Sequence, residues 1–202
     1  MNTYVCVDAA SSKKKGSDYT AMVVIGLAKD NNYYVLEMVR DRLNLAERLE
    51  KLFYLHRKYK PKQVRFERYG MLSDIEAIKA KQELDTYRFD VTEVAGVTAK
   101  EDRIKRLLPI FEQGRMYLPK SMHITDWEKN VVDLVYSFVE MEYVAFPVLK
   151  HDDMLDGLAR IVDLEQMGLI VQPSAIAAPL RGQRVEEGLR RLDAELAAID
   201  EV

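Results

Sequence analysis

One cysteine, Cys6, stands in a chain of 202 residues. It excludes an internal disulfide framework and fits a reducing compartment. Glycine and proline are also sparse, 9 and 6, beside 48% hydrophobic and 31% charged residues, which is a globular composition. No apolar run reaches the roughly 18 residues of a membrane-crossing helix. The N-terminus lacks the charged-then-apolar order of a signal peptide, so a cytosolic protein is expected. An excess of one charge is missing too: 30 basic against 33 acidic residues leave a net −3. Nucleic-acid binders are usually basic overall, so the balance argues mildly against one and leaves such binding to local patches. No internal repeat or low-complexity tract is present. The length suits one substantial domain, or one domain plus an appendage. The expected division is a domain over 1–170, then a linker and helical tail over 171–202.

What is present reads as strands first. "TYVCVDAA" is a short apolar run ending in Asp8, and two apolar stretches around "KDNN" predict a hairpin over 19–40. The apolar spacing predicts a helix over 43–59. "QVRFE" is a strand ending at Glu67, followed by a helix over 71–84 and a strand in "YRFDVTEVAG". Thr98 and Glu101 make a capping-box pattern before a helix that Gly114 stops. "RMYLP" is a short strand, and helices are expected over 126–143 and 152–167. The fold class expected is α/β: a mixed sheet, antiparallel hairpin plus parallel strands, with helices on both faces. Beyond Pro173 comes a linker, then a stripe of Val185, Leu189, Leu192, Leu196 and Ile199 on an appended helix.

Acids gather at element ends. Asp8 and Glu67 each close a strand, and "KHDDMLDGLARI" places Asp152, Asp153 and Asp156 at a helix start. If the two strands lie parallel and adjacent, their C-terminal ends bring Asp8 and Glu67 together, where α/β sheets bind ligands. Carboxylates without cysteine or a histidine set favour hard ions, Mg²⁺ or Mn²⁺. Two such ions clamp the attacking and leaving oxygens of a phosphoryl transfer. Asp8 is the candidate bridging both ions, with Glu67 on one and Asp153, helped by Asp152 or Asp156, on the other. An aspartate at a helix N-terminus also serves as a plain cap, and both readings of Asp152 stand.

The stretches "VDAASSKKKGSDYTAMVVIG", "YVLEMVRDRL", "VRFERYG", "TAKEDRIKRLLPIFEQGRMYLP" and "FPVLKHDDMLDGLARI" resemble, in order, the nuclease domain of tailed-phage large terminase subunits. The resemblance covers about residues 3 to 165. It implies an RNase H-like (RuvC-like) fold and a two-metal endonuclease that cuts double-stranded viral DNA during genome packaging. It makes Asp8, Glu67 and Asp153 the catalytic acids, implicates Asp152, and leaves Asp156 at a position that varies among relatives. The implied partners are DNA, a packaging ATPase domain, the portal protein and the small terminase subunit, in the host-cell cytoplasm and away from membranes. No Gly-rich "GxxxxGK[ST]" loop occurs, so an excised domain or a free-standing relative is expected.

For DNA contact the candidates are Lys13, Lys14, Lys15, Lys100, Arg103, Lys105 and Arg106. Lys100 either meets the scissile phosphate, offsets the carboxylates or is simply solvated. Asp18 and Thr20 are expected to fix the turn into the second strand. His56 is expected in the core, His123 in a loop, and His151 either orients the helix start or joins the metal site. Trp127 and Tyr136 fit helix burial. The competing classes are a resolvase- or transposase-type nuclease on the same fold, and a non-catalytic module docking DNA or portal.

Overall fold

The computed structural model describes residues 1–10, 19–67, 72–94, 99–148 and 152–166. The run Tyr4 to Val7 is buried on both sides, as a central strand's continuous apolar stretch requires. It belongs to β1 (Asn2–Asp8). β2 (Thr20–Leu27) and β3 (Tyr33–Asp41) form the expected hairpin, with a register shift between Val24 and Ile25. β4 (Gln63–Glu67), β5 (Val91–Val94) and β6 (Met116–Tyr117) complete a six-stranded sheet in the order β5-β4-β1-β2-β3-β6. β1 runs antiparallel to β2 and parallel to β4; β4 is parallel to β5 and β3 to β6.

Side-chain alternation splits the core into two layers. Val5, Val7, Met22, Val24, Val64 and Phe66 face one way, against Leu52, Phe53 and Leu55 of α1 (Leu45–Tyr59) and Ile78 of α2 (Leu72–Leu84). Tyr4, Cys6, Val23, Ile25 and Met38 face the other, against Ile104 and Leu107 of α3 (Lys100–Glu112) and Leu155 and Leu158 of α5 (Asp153–Gln166). α1 opens with a capping box between Asn44 and Glu47. α3 ends before Gly114, whose φ of 65° is the left-handed conformation that glycine adopts freely.

Two expectations are corrected. The stretch over 126–143 is not one helix: β7 (His123–Thr125) and β8 (Val131–Asp133) form a small hairpin. Asp126 Oδ1 accepts the Asn130 N–H at 2.9 Å and Lys129 takes a φ of 71°, a tight turn that the apolar spacing hid. Helix begins only at α4 (Leu134–Tyr136) and widens into a π-helical segment, Ser137–Tyr143. Trp127 therefore sits in the hairpin turn, half-buried, and Tyr136 is 60% exposed. Second, the residue preceding α3 is Ala99, with no side-chain cap bond. Thr98, Asp18, His151 and the tail over 171–202 lie outside the described residues.

Candidate functional site

The register of β1 on β4 pairs Val7 with Phe66, so one step further sets Asp8 beside Glu67. Both strands end there, on the same sheet edge. β3 also runs parallel to β1 through the intervening β2, so Arg40 near its end reaches that edge too. Thr20 helps to fix the exit of β1: its buried Oγ1 accepts the Ala10 N–H at 3.2 Å. The turn into β2 that Thr20 is expected to fix with Asp18 lies largely outside the described residues.

α5 delivers the remaining acids. It packs on β1 and β2, with Gly157 facing β2: a Cβ there would lie in ordinary contact, 3.4 Å from Val23 Cγ2. The Asp156 N–H donates to the Asp152 carbonyl at 2.8 Å, opening the helix. Its acidic first turn thus stands over the face that Tyr4, Cys6 and Asp8 share by strand alternation. Among the described residues no three histidine, cysteine, aspartate or glutamate side chains converge as a metal-holding group.

A lysine ammonium lies among these acids. Lys100 Nζ is 2.6 Å from Asp152 Oδ1 and 3.8 Å from Asp156 Oδ2. Burial works against its charge, but the Asp152 hydrogen bond and the charges of Asp156, Asp152 and Asp8 outweigh it and raise its pKa. Of the readings open for Lys100, the geometry matches offset of carboxylate charge. Asp156, 2% exposed, has a different set of partners from those expected of an ion ligand. Arg103 donates to its Oδ1 from Nε at 2.8 Å and again from Nη2, and Arg160 Nη2 approaches Oδ2 at 4.0 Å. Burial pushes the Asp156 carboxyl up, and Arg103, Lys100 and Arg160 pull it back.

The same pair engages one member of the DNA-contact set. Arg103 is 3% exposed and bound to Asp156, so its guanidinium is held in the core rather than presented to a phosphate. Lys105 and Arg106 are exposed on α3, Lys105 with Glu101 at 2.7 Å, and His123 is exposed on β7. Lys13, Lys14 and Lys15 lie outside the described residues. His56 is half-buried in α1 rather than in the core, stacked on Phe89 at 3.9 Å with Nδ1 2.8 Å from the Tyr87 hydroxyl.

Two residues at the site, Glu142 and Arg40, escaped the sequence reading. Glu142, on the π-helical segment, accepts the Leu155 N–H at 2.8 Å. Its carboxyl is pushed up to about 7, chiefly by burial, with Leu155 and Arg40 pulling it down and the Asp153 charge adding to the rise. Arg40 Nε lies 3.4 Å from Glu142 Oε1 and 3.5 Å from Asp153 Oδ2. The Arg40 guanidinium stands 3.9 Å from the Tyr19 ring, and Arg42 lies 4.5 Å from Tyr19 and 5.2 Å from Trp127. Asp41 Oδ1 accepts the Trp127 N–H at 3.1 Å, tying the hairpin turn to the end of β3. The signal for Arg40 was available: the strand-end logic used for Asp8 and Glu67 applies equally to β3. Glu142 had none, because its segment read as an ordinary helix.

A mixed sheet whose central parallel strands end in acids, met by an acidic helix start, defines the RNase H-like class of fold. Residues 5–163 match the family described as the terminase RNaseH-like domain, and the chain belongs to that family. Its fold is similar to the human cytomegalovirus terminase nuclease domain, Mn soaked and inhibitor bound. The TM-score is 0.57 at 12% identity over 81% of this chain and 82% of that one. The large terminase nuclease from thermophilic phage G20c gives 0.48 at 18% identity, over 78% of this chain and 80% of that one. The yeast mitochondrial Holliday junction resolvase gives 0.44 at 12%, over 77% and 75%. No curated protein matches the chain. Among the described residues no helix is long and apolar enough to cross a membrane.

Proposed function

We propose that this chain is a metal-dependent endonuclease that hydrolyses phosphodiester bonds of double-stranded DNA during viral genome packaging. The observation that carries the reading is the parallel register of β1 on β4, Val7 opposite Phe66, which ends the two strands in Asp8 and Glu67 at the same end of the sheet, with α5 opening in Asp152 and Asp153. The donor chemistry fits a divalent, oxygen-preferring ion: the candidate ligands are all carboxylates, and a lysine ammonium already lies among them. Asp8 would hold both ions, Glu67 one, and Asp153 with Asp152 the other. Bound there, two ions supply an activated water and charge neutralisation at the departing 3′ oxygen.

The protein's own groups do the rest. Asp156 and Arg103 form a buried pair that fixes α3 against α5. Lys100, carried on α3, is thereby placed to balance the acids while the site lacks ions and to meet a phosphate oxygen once they are present. The exposed Lys105 and Arg106, with Lys13, Lys14 and Lys15, would grip the DNA backbone. The ion in use is Mg²⁺ or Mn²⁺. A packaging ATPase domain, with portal and small terminase subunit as further partners in the host cytoplasm, belongs to the same proposal.

Supercoiled plasmid incubated with Mn²⁺, Mg²⁺ or EDTA tests it, using the wild type and Asp8→Asn. Nicking is expected with either ion, and none in EDTA or with the variant. Nicking that survives both EDTA and the substitution would overturn the metal reading. Intact plasmid throughout, with DNA still bound, would favour a docking module.

A further inference from the structure

We propose that Glu142 is a positioning residue for Asp153. It pins the first turn of α5 and shares Arg40, so that this guanidinium does not claim the Asp153 carboxylate for itself. The inference rests on the metal-binding reading above and adds residues outside its ligand set.

The geometry is that of a cation balanced between two acids. Arg40 Nε stands 3.4 Å from Glu142 Oε1 and 3.5 Å from Asp153 Oδ2, and it hydrogen-bonds to neither. Glu142 and Asp153 are 2% and 5% exposed, so the attraction is little screened. The Tyr19 ring, 3.9 Å from the guanidinium, limits where Arg40 can go. The other Glu142 oxygen accepts the Leu155 N–H at 2.8 Å, which locks the turn that carries Asp153. Glu142 sits in a π-helical segment, a rare backbone form that often marks functional positions.

Removing the Glu142 charge should let Arg40 move the short distance to Asp153. There it would compete with a divalent cation for the same oxygen. Partners that orient metal ligands typically contribute about 10–100-fold to affinity. A residue needed only for folding would behave differently, because deleting its neighbour as well would add damage rather than relieve it.

The test is Mn²⁺ affinity by titration calorimetry at about pH 8, above the raised pKa of Glu142 so that its carboxylate is charged, without DNA, on the full chain, with thermal melts alongside. Three proteins are compared: wild type, Glu142→Gln, and the double variant Arg40→Met with Glu142→Gln. Glutamine keeps an oxygen for the Leu155 N–H while dropping the charge. The single variant is expected to bind Mn²⁺ about tenfold more weakly, and the double variant to return to the wild-type value. Unchanged affinity in the single variant, or a further loss in the double, would overturn the proposal. Should Glu142→Gln not fold, the double variant decides: wild-type affinity supports it, and a tenfold loss refutes it. A wild type that takes up no Mn²⁺ would instead bring down the metal reading itself.

Discussion

Arg48 and Asp74 show how single residues hold the layer opposite the candidate site. Arg48 Nε and Nη2 meet the two Asp74 oxygens at 2.8 and 2.9 Å, and Nη1 donates to the Leu43 carbonyl at 3.0 Å. All of this is buried, joining α1 to α2. Removing one member leaves the other charged and desolvated, so Asp74→Ala should cost about 3–5 kcal/mol, read by urea denaturation. A loss under about 1 kcal/mol, as for a surface pair, would refute the assignment. His56 gives a pH-dependent case. Burial depresses its pKa, so as pH falls below about 6.5 the unfolded chain takes up the proton first. Its contribution is complete above that pH and shrinks until the folded imidazole also titrates. Between pH 7.5 and 5 the wild type should therefore lose more stability than His56→Phe, whose ring keeps the stack on Phe89. Parallel losses in the two proteins would show that His56 carries no such linkage.

At the scale of elements, α5 carries a glycine at the point where it crosses β2. A helical glycine is about 1 kcal/mol worse than alanine. The added methyl would meet Val23 Cγ2 at 3.4 Å and Ala21 Cβ at 3.9 Å, ordinary contact rather than a clash. Gly157→Ala is thus expected to stabilise the fold by about 0.5–1 kcal/mol, seen as a higher urea midpoint at unchanged slope. A lower midpoint would mean that α5 must ride closer to the sheet than this. Elements with strong periodicity were readable from residues alone: the β2–β3 hairpin, α1, and the parallel strands that end in Asp8 and Glu67. The β7–β8 hairpin was not, because its strands have three residues each and too little alternation to compete with a helical spacing. The partners of Asp156 were also illegible. A helix-start aspartate looks the same in sequence whether it faces an ion, solvent or a buried arginine from α3, and only packing decides.

For the molecule as a whole, the candidate ligands come from β1, β4 and α5, elements separated by long stretches of chain. The unfolded chain has no such gathering, so an ion that needs all three binds only the folded state and stabilises it by RT ln(1 + [L]/Kd). That amounts to about 2.7 kcal/mol at a hundredfold excess over Kd. Wild-type protein should therefore melt higher in Mn²⁺ than in NaCl of matched ionic strength, and Asp8→Asn should show a much smaller difference. Lys100 sharpens the test, since its ammonium is the internal cation that now offsets Asp152, Asp156 and Asp8. Lys100→Met should lower the melting temperature without metal, where carboxylate repulsion goes unanswered. It should also enlarge the rise on adding Mn²⁺, because the ion then relieves a greater strain. If the rise is the same in wild type, Asp8→Asn and Lys100→Met, the ion is binding elsewhere on the surface. The acids at the sheet edge would then be held by Lys100 and the arginines for structural ends alone.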